Sequence, residues 1–247
     1  MIGAVIIAIF SAKICLWINA FSFFISVLIL WSLKLPEPKL SKRDLEDLNL
    51  RASIKSTFSV LTQQKRLRLF LVFSLLALII LMICESQMVI LLKSLYPSRP
   101  NLLGYVIGTS GVGAILMGLI LGKIKNLKNY FPLLALSLIS MALGYGLVGL
   151  IPMNASLIYL LLISLIQGFG FGGILVLYSY VIKREVPEKI LGRVYGTLGM
   201  FQSIMLLIGS ALGGFLVSGM GASHTYFLMG CVALVLTLGV FIKRRCL

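Results

Sequence analysis

Arg68–Leu95 reads RLFLVFSLLALIILMICESQMVILLKSL, and up to Cys84 only Ser74 interrupts the apolar run that follows Arg68. A strand of a membrane barrel alternates apolar and polar residues over about ten positions, and nothing here alternates. A helix of this length measures about 42 Å at 1.5 Å per residue, more than a hydrocarbon slab of about 30 Å requires. Helices also satisfy their own backbone groups, which is the condition for lying in lipid. The stretch is a transmembrane helix.

Comparable runs follow at Leu102–Gly122, Tyr130–Ile151, Ser156–Ile182, Val194–Ser218 and Thr225–Ile242, and another precedes at Ile14–Leu33. Turn chemistry separates them, as in Tyr96-Pro97-Ser98-Arg99-Pro100-Asn101, Ile151-Pro152-Met153-Asn154 and Gly219-Met220-Gly221. With 60% hydrophobic residues and a mean hydropathy of +1.07, a 247-residue chain has more apolar surface than a soluble core could hide. The expected class is an all-α, polytopic membrane protein.

The net charge of +15 would suggest a nucleic-acid partner in a soluble protein, but its placement argues otherwise. Nine basic residues fall in Lys34–Arg68, three in Lys123–Lys128, four in Lys183–Arg193 and three in Lys243–Arg245. The alternate breaks hold only Lys13, Lys93 and Arg99. The positive-inside rule then puts the basic segments and the C-terminus in the cytoplasm, with membrane lipid and no nucleic acid as partner. In intact cells, an impermeant maleimide should label a single cysteine placed at Ser98 and spare one at Lys125. Rapid labelling at Lys125 with none at Ser98 would reverse the topology.

Metal and hydrolytic chemistry find little to build on. Cys15, Cys84, Cys231 and Cys246 have no ligand or disulfide spacing. The only histidine, His224, has no carboxylate or cysteine near it in sequence. No catalytic constellation assembles, so neither an enzyme, a metal site nor a cofactor is expected.

Residues 34–67 change composition. Pro36-Glu37-Pro38 stops the preceding helix, and Leu40, Leu45, Leu48, Leu50, Ile54, Phe58 and Leu61 recur among charges. That spacing suits an amphipathic interfacial linker with snorkelling lysines, or alternatively a solvated tether. Residues 1–33 are one apolar tract interrupted chiefly by Lys13, Trp17 and Asn19. As a single helix the tract would be about 50 Å long, and with Lys13 near the outer face its first residues would start mid-membrane. The expectation is that the chain begins inside a longer parent's helix.

Three motifs carry a resemblance. Trp17-Ile18-Asn19-Ala20-Phe21-Ser22-Phe23-Phe24-Ile25-Ser26, Gln167-Gly168-Phe169-Gly170-Phe171-Gly172 and Val186-Pro187-Glu188-Lys189-Ile190-Leu191-Gly192-Arg193-Val194-Tyr195-Gly196 are in order. They resemble the sixth helix, the tenth helix and the ten–eleven loop of major facilitator superfamily transporters, in the branch of enterobactin exporters and macrolide efflux proteins. The resemblance implies three parts. Residues 1–33 would be the end of the fifth helix and the sixth helix, 34–67 the cytoplasmic linker, and 68–247 the C-terminal six-helix bundle. It further implies proton-coupled efflux of a hydrophobic or amphipathic small molecule at the bacterial inner membrane, with a complementary N-terminal half or a second copy as partner. The alternative is a truncated or split-gene remnant that inserts but transports nothing. Gly122, Lys123, Asn126, Gly192 and Arg193 would form the conformational loops. Asn126 stands where the family's eight–nine loop best fits an Asp.

Polar side chains inside spans usually face an interior or a water-filled cavity. Glu85, the only acid inside a span, lies about 25 Å along its helix from Arg68, and intramembrane acids mark proton relays. It is the proton-coupling candidate, or else a carboxylate that merely reaches the interface. Gln87, Gln167 and Gln202 are the cavity-lining candidates, on spans matching helices seven, ten and eleven of the resembled family. The pairs Gly104/Gly108, Gly118/Gly122 and Gly209/Gly213 fit close helix packing or a sliding face.

Overall fold

The computed structural model describes residues 12–32, 65–99, 102–124 and 129–244. Every regular element among them is a helix. These are α1 (Ala12–Ser32), α2 (Lys65–Leu95), α3 (Leu102–Gly122), α4 (Phe131–Gly149), α5 (Leu157–Glu185), α6 (Glu188–Met220) and α7 (Ala222–Arg244). The last six are long and apolar enough to cross a membrane, so the all-α membrane class holds. Residues 1–11, 33–64 and Asn126 lie outside the described residues, and with them the helix-five fragment, most of the expected linker and one loop candidate.

The chain divides into two compact units, residues 1–53 and 54–247. In the first, α1 satisfies its hydroxyls within its own turns: Ser22 Oγ donates to the Asn19 carbonyl at 2.8 Å and Ser26 Oγ to that of Ser22 at 2.9 Å. Back-bonding of this kind lets serine sit in an apolar helix without an orphan donor.

In the second unit, α3 lies on α5, α5 on α4, α4 on α7, α7 on α2 and α2 on α6. Exchanging α2, α3 and α4 for α5, α6 and α7 leaves this set of pairings unchanged. Because α2 and α5 are three antiparallel crossings apart, they run in opposite directions. These five pairings have the pattern of two three-helix repeats of inverted direction, although α6 also touches α7 with no matching α3–α4 pairing among the described residues.

Small residues set the seams, since lipid offers no hydrophobic drive for helix association and close van der Waals contact must supply it. The glycines of α5 face two ways. A Cβ on Gly172 would meet Ala114 Cα of α3 at 2.5 Å, and one on Gly170 would meet Met141 N of α4 at 2.6 Å. Gly230 of α7 would meet Gly146 Cα of α4 at 2.5 Å. Of the sequence pairs, Gly209 and Gly213 pack on α2, where an added Cβ would stand 2.7 Å from Met82 Cβ and 3.0 Å from the Ile83 carbonyl oxygen, whereas one on Gly118 or Gly122 would meet nothing closer than 3.9 Å.

One boundary corrects the sequence reading. The resemblance puts a loop over Val186–Gly196, yet only Val186 and Pro187 are non-helical between α5 and α6. Pro187 holds Val186 extended at φ −103°, ψ 130°. It then caps α6, whose first residue Glu188 complements the positive helix N-terminus. Gly192 and Arg193, expected in a conformational loop, belong to the first turns of α6. The α6–α7 break is likewise shorter than expected, a single Gly221 at φ +83°, where a side chain would be strained. His224 caps this corner through Nδ1, 3.0 Å from the Met220 carbonyl.

Candidate functional site

With its glycines turned to α3 and α4, α5 presents Phe171 and Leu175 to a third side. There they meet Leu78, Leu81 and Met82 of α2 and Gln202 and Met205 of α6, around a cavity of about 160 Å³. The α2 residues 78, 81 and 82 form one helical stripe, and the next position of that stripe is 85. Glu85 is exposed and stands about 5 Å further along α2 than Met82 at 1.5 Å per residue. Gln202 is half-buried in the cavity wall. Gln202 lines the cavity, and Glu85 follows on the α2 stripe one turn beyond it without being a lining residue.

Gln87 and Gln167 lie elsewhere, each buried in a helix seam. Gln87 is 6% exposed, with its Cγ 3.1 Å from where a Gly213 Cβ would stand. Its Nε2 donates to Ser86 Oγ at 3.2 Å, and that hydroxyl donates to the Ile83 carbonyl at 3.0 Å. The Gln87 Oε1 has no hydrogen-bond partner. Gln167 is 3% exposed and packs over Gly144 of α4. Across the same seam Ser140 Oγ donates to the Ile166 carbonyl at 2.7 Å.

A tyrosine pair not anticipated from sequence backs the turn that carries Glu85. Tyr226 of α7 is fully buried and donates its hydroxyl to the Cys84 carbonyl, with Met88 Sδ at 3.7 Å. Tyr145 of α4 meets it edge to face, ring centroids 5.8 Å apart. Tyr145 is equally buried, and its hydroxyl makes no well-formed hydrogen bond. Removing a satisfied buried hydroxyl costs about 1 kcal/mol, whereas removing an unsatisfied one is near neutral. Tyr226→Phe should therefore lower unfolding stability in detergent by about 1 kcal/mol, and Tyr145→Phe by clearly less. The reverse order would contradict the assigned partners.

The remaining candidates sit at the opposite end of the helices. Gly122 closes α3 and Lys123 is exposed just past it. Arg193 is half-buried one turn into α6. Near the other end of α2, burial raises the pKa of the Tyr96 hydroxyl, and the nearby Arg99 charge partly offsets this.

A family profile described as Major Facilitator Superfamily matches residues 88–245. The uncharacterized MFS-type transporter YfiS of Bacillus subtilis (strain 168) is 29% identical over 250 residues, an alignment covering 99% of this chain and 59% of that protein. The chain thus spans 59% of the length of the curated relative it matches. No solved structure matches the chain.

Proposed function

The chain belongs to the major facilitator superfamily, a family of membrane transporters, and on that premise we propose that it forms one wall of a proton-coupled exporter of hydrophobic or amphipathic small molecules. The observation that carries this reading is the apolar cavity among α2, α5 and α6, with an amide in its wall and the Glu85 carboxyl on the adjoining turn. An apolar pocket with few convergent polar groups is the usual form of a small-molecule site. The opposing wall comes from a complementary half or a second copy, and the cavity opens alternately to the two faces of the inner membrane as the repeats rock.

In this cycle Glu85 takes a proton from the outside as substrate leaves. It releases that proton to the cytoplasm as the next substrate enters, so one proton moves in for each molecule out. The basic residues of alternate breaks support a cytoplasmic C-terminus and this direction of facing. Gly122, Lys123, Gly192 and Arg193 stand at the helix ends proposed as cytoplasmic, where they would latch the walls together, as would Asn126, which lies outside the described residues. The resemblance to the enterobactin and macrolide exporters supports the outward direction.

Cells expressing the complete transport unit, loaded with a panel of fluorescent amphipaths of either charge, test the reading. At least one dye should be extruded faster than from cells without it, and a protonophore should abolish the difference. Extrusion of no dye, or extrusion indifferent to the protonophore, would overturn proton-coupled export.

A further inference from the structure

Resting on the transporter reading, in which Glu85 carries the proton, we propose that Tyr226 is the positioning residue for that carboxylate: its hydroxyl anchors the α2 turn from which Glu85 projects. Tyr226 donates to the Cys84 carbonyl, with Met88 Sδ at 3.7 Å. A carbonyl has two lone pairs, so it accepts this bond beside the helical one. The Cys84 carbonyl and the Glu85 N–H belong to one planar peptide. A donor on that carbonyl therefore holds the plane on which the Glu85 side chain is mounted. Tyr226, Cys84 and Met88 are all buried, so the bond is made away from water, where it is electrostatically stronger.

The donor itself is firmly held. Along α7, close approaches to α4 flank it on both sides. A Cβ on Gly149 would stand 2.5 Å from Phe227 N and 2.7 Å from the Ser223 carbonyl oxygen, and one on Gly230 would stand 2.5 Å from Gly146 Cα. Tyr145 braces the ring edge to face. The α2 turn is held from a second side by α6, where Gly213 faces the Ile83 carbonyl, Ser86 and Gln87. At about 100° per residue, positions 83, 86 and 87 lie on one side of α2 and positions 84 and 88 on another, which leaves Glu85 exposed on the third. The glycine contact sets how near α6 lies. The phenol bond is directional, and it fixes the height and rotation of the turn. A slip of one residue would turn Glu85 through about 100° and shift it about 1.5 Å, and misplacing a reacting group by about 1 Å can cost about 100-fold in rate.

Cys84 is a built-in reporter of the turn, because it is fully buried on the anchored side. In the full protein purified in detergent, with Cys15, Cys231 and Cys246 replaced by Ala, modification of Cys84 by N-ethylmaleimide is followed by mass spectrometry of its peptide. Tyr226→Phe keeps the ring and deletes the donor, and it should speed modification about fivefold, equivalent to about 1 kcal/mol. Ser140→Ala is the matched control. It deletes another buried hydroxyl bond, to the Ile166 carbonyl across the α4–α5 seam, and should leave the rate nearly unchanged. In proteoliposomes holding the complete unit, Tyr226→Phe should lower the uphill accumulation ratio of an extruded dye severalfold while exchange without a gradient continues, and Ser140→Ala should keep the wild-type ratio. Unchanged Cys84 modification in Tyr226→Phe, equal speeding in both variants, or a wild-type accumulation ratio in Tyr226→Phe would each overturn the positioning role. A wild-type unit that moves no protons would instead overturn the transporter reading, whatever the Cys84 rates, so the two fail separately.

Discussion

Glu85→Gln is expected to abolish uphill transport by the complete unit while leaving substrate binding measurable. Glu85 is the only acid among the described residues of α2 to α5 that is not at a helix end, and Gln preserves its shape and hydrogen bonding without a removable proton. One proton moving inward supplies about 1.4 kcal/mol per unit of pH difference and about 2.3 kcal/mol per 100 mV. For an uncharged substrate a gradient of one pH unit and 100 mV can thus sustain a ratio of several hundred, at tenfold per 1.4 kcal/mol. In proteoliposomes the variant should equilibrate substrate to a ratio near one. Substrate exchange without a gradient should continue. A wild-type accumulation ratio in Glu85→Gln would reduce the residue to a rim carboxylate without a coupling role.

The second large effect is structural. Gly172→Val should prevent the bundle from forming, because even the first atom of the new side chain would stand 2.5 Å from Ala114 Cα and 2.6 Å from the Ala114 carbonyl oxygen. Both are backbone atoms and cannot swing aside, so α3 must move off α5. Overpacking of a tight core costs about 1–3 kcal/mol and sometimes more, which fits Gly172→Ala; the larger Val adds two methyl groups to the same collision. Gly199→Ala is the matched control, since a Cβ there meets nothing within 4 Å. Replacing a helical glycine in open space gains up to about 1 kcal/mol. Thermal unfolding and gel filtration in detergent read the series: Gly199→Ala at or above wild type, Gly172→Ala lower, Gly172→Val without a monodisperse peak. A Gly172→Val protein with the wild-type transition would contradict the α3–α5 seam.

Much of the architecture was legible because continuous apolar runs leave few structural choices. The six spans of the bundle emerged within a few residues of their helices at most boundaries, and the exceptions share a cause. Basic and polar residues at helix ends read as loop, yet a helix can continue past its apolar run, as α6 is helical from Glu188 through Arg193. The site was less legible. Polarity flagged Glu85 and Gln202, which adjoin the cavity, and with equal force Gln87 and Gln167, which are buried in seams. A glutamine in a span must be satisfied or sheltered, and either a cavity wall or a helix seam can shelter it. Phe171, Leu175, Met82 and Met205 carried no signal, since a cavity-lining apolar side chain and a lipid-facing one look alike in sequence. Tyr145 and Tyr226 did carry one: a phenol within an apolar span needs a partner, and that of Tyr226 is the Cys84 carbonyl next to Glu85.

The central claim is that a small molecule leaves through the α2–α5–α6 cavity in exchange for a proton carried by Glu85. Proteoliposomes holding the complete unit and a trapped pH-sensitive dye test it most directly. With no pH difference imposed and the membrane potential clamped, a gradient of an extruded dye across the vesicle wall should drive protons the opposite way. Glu85→Gln vesicles should show no such proton movement. Carrier-dependent dye movement without any countermovement of protons in the wild type, or the same proton movement in Glu85→Gln, would contradict it.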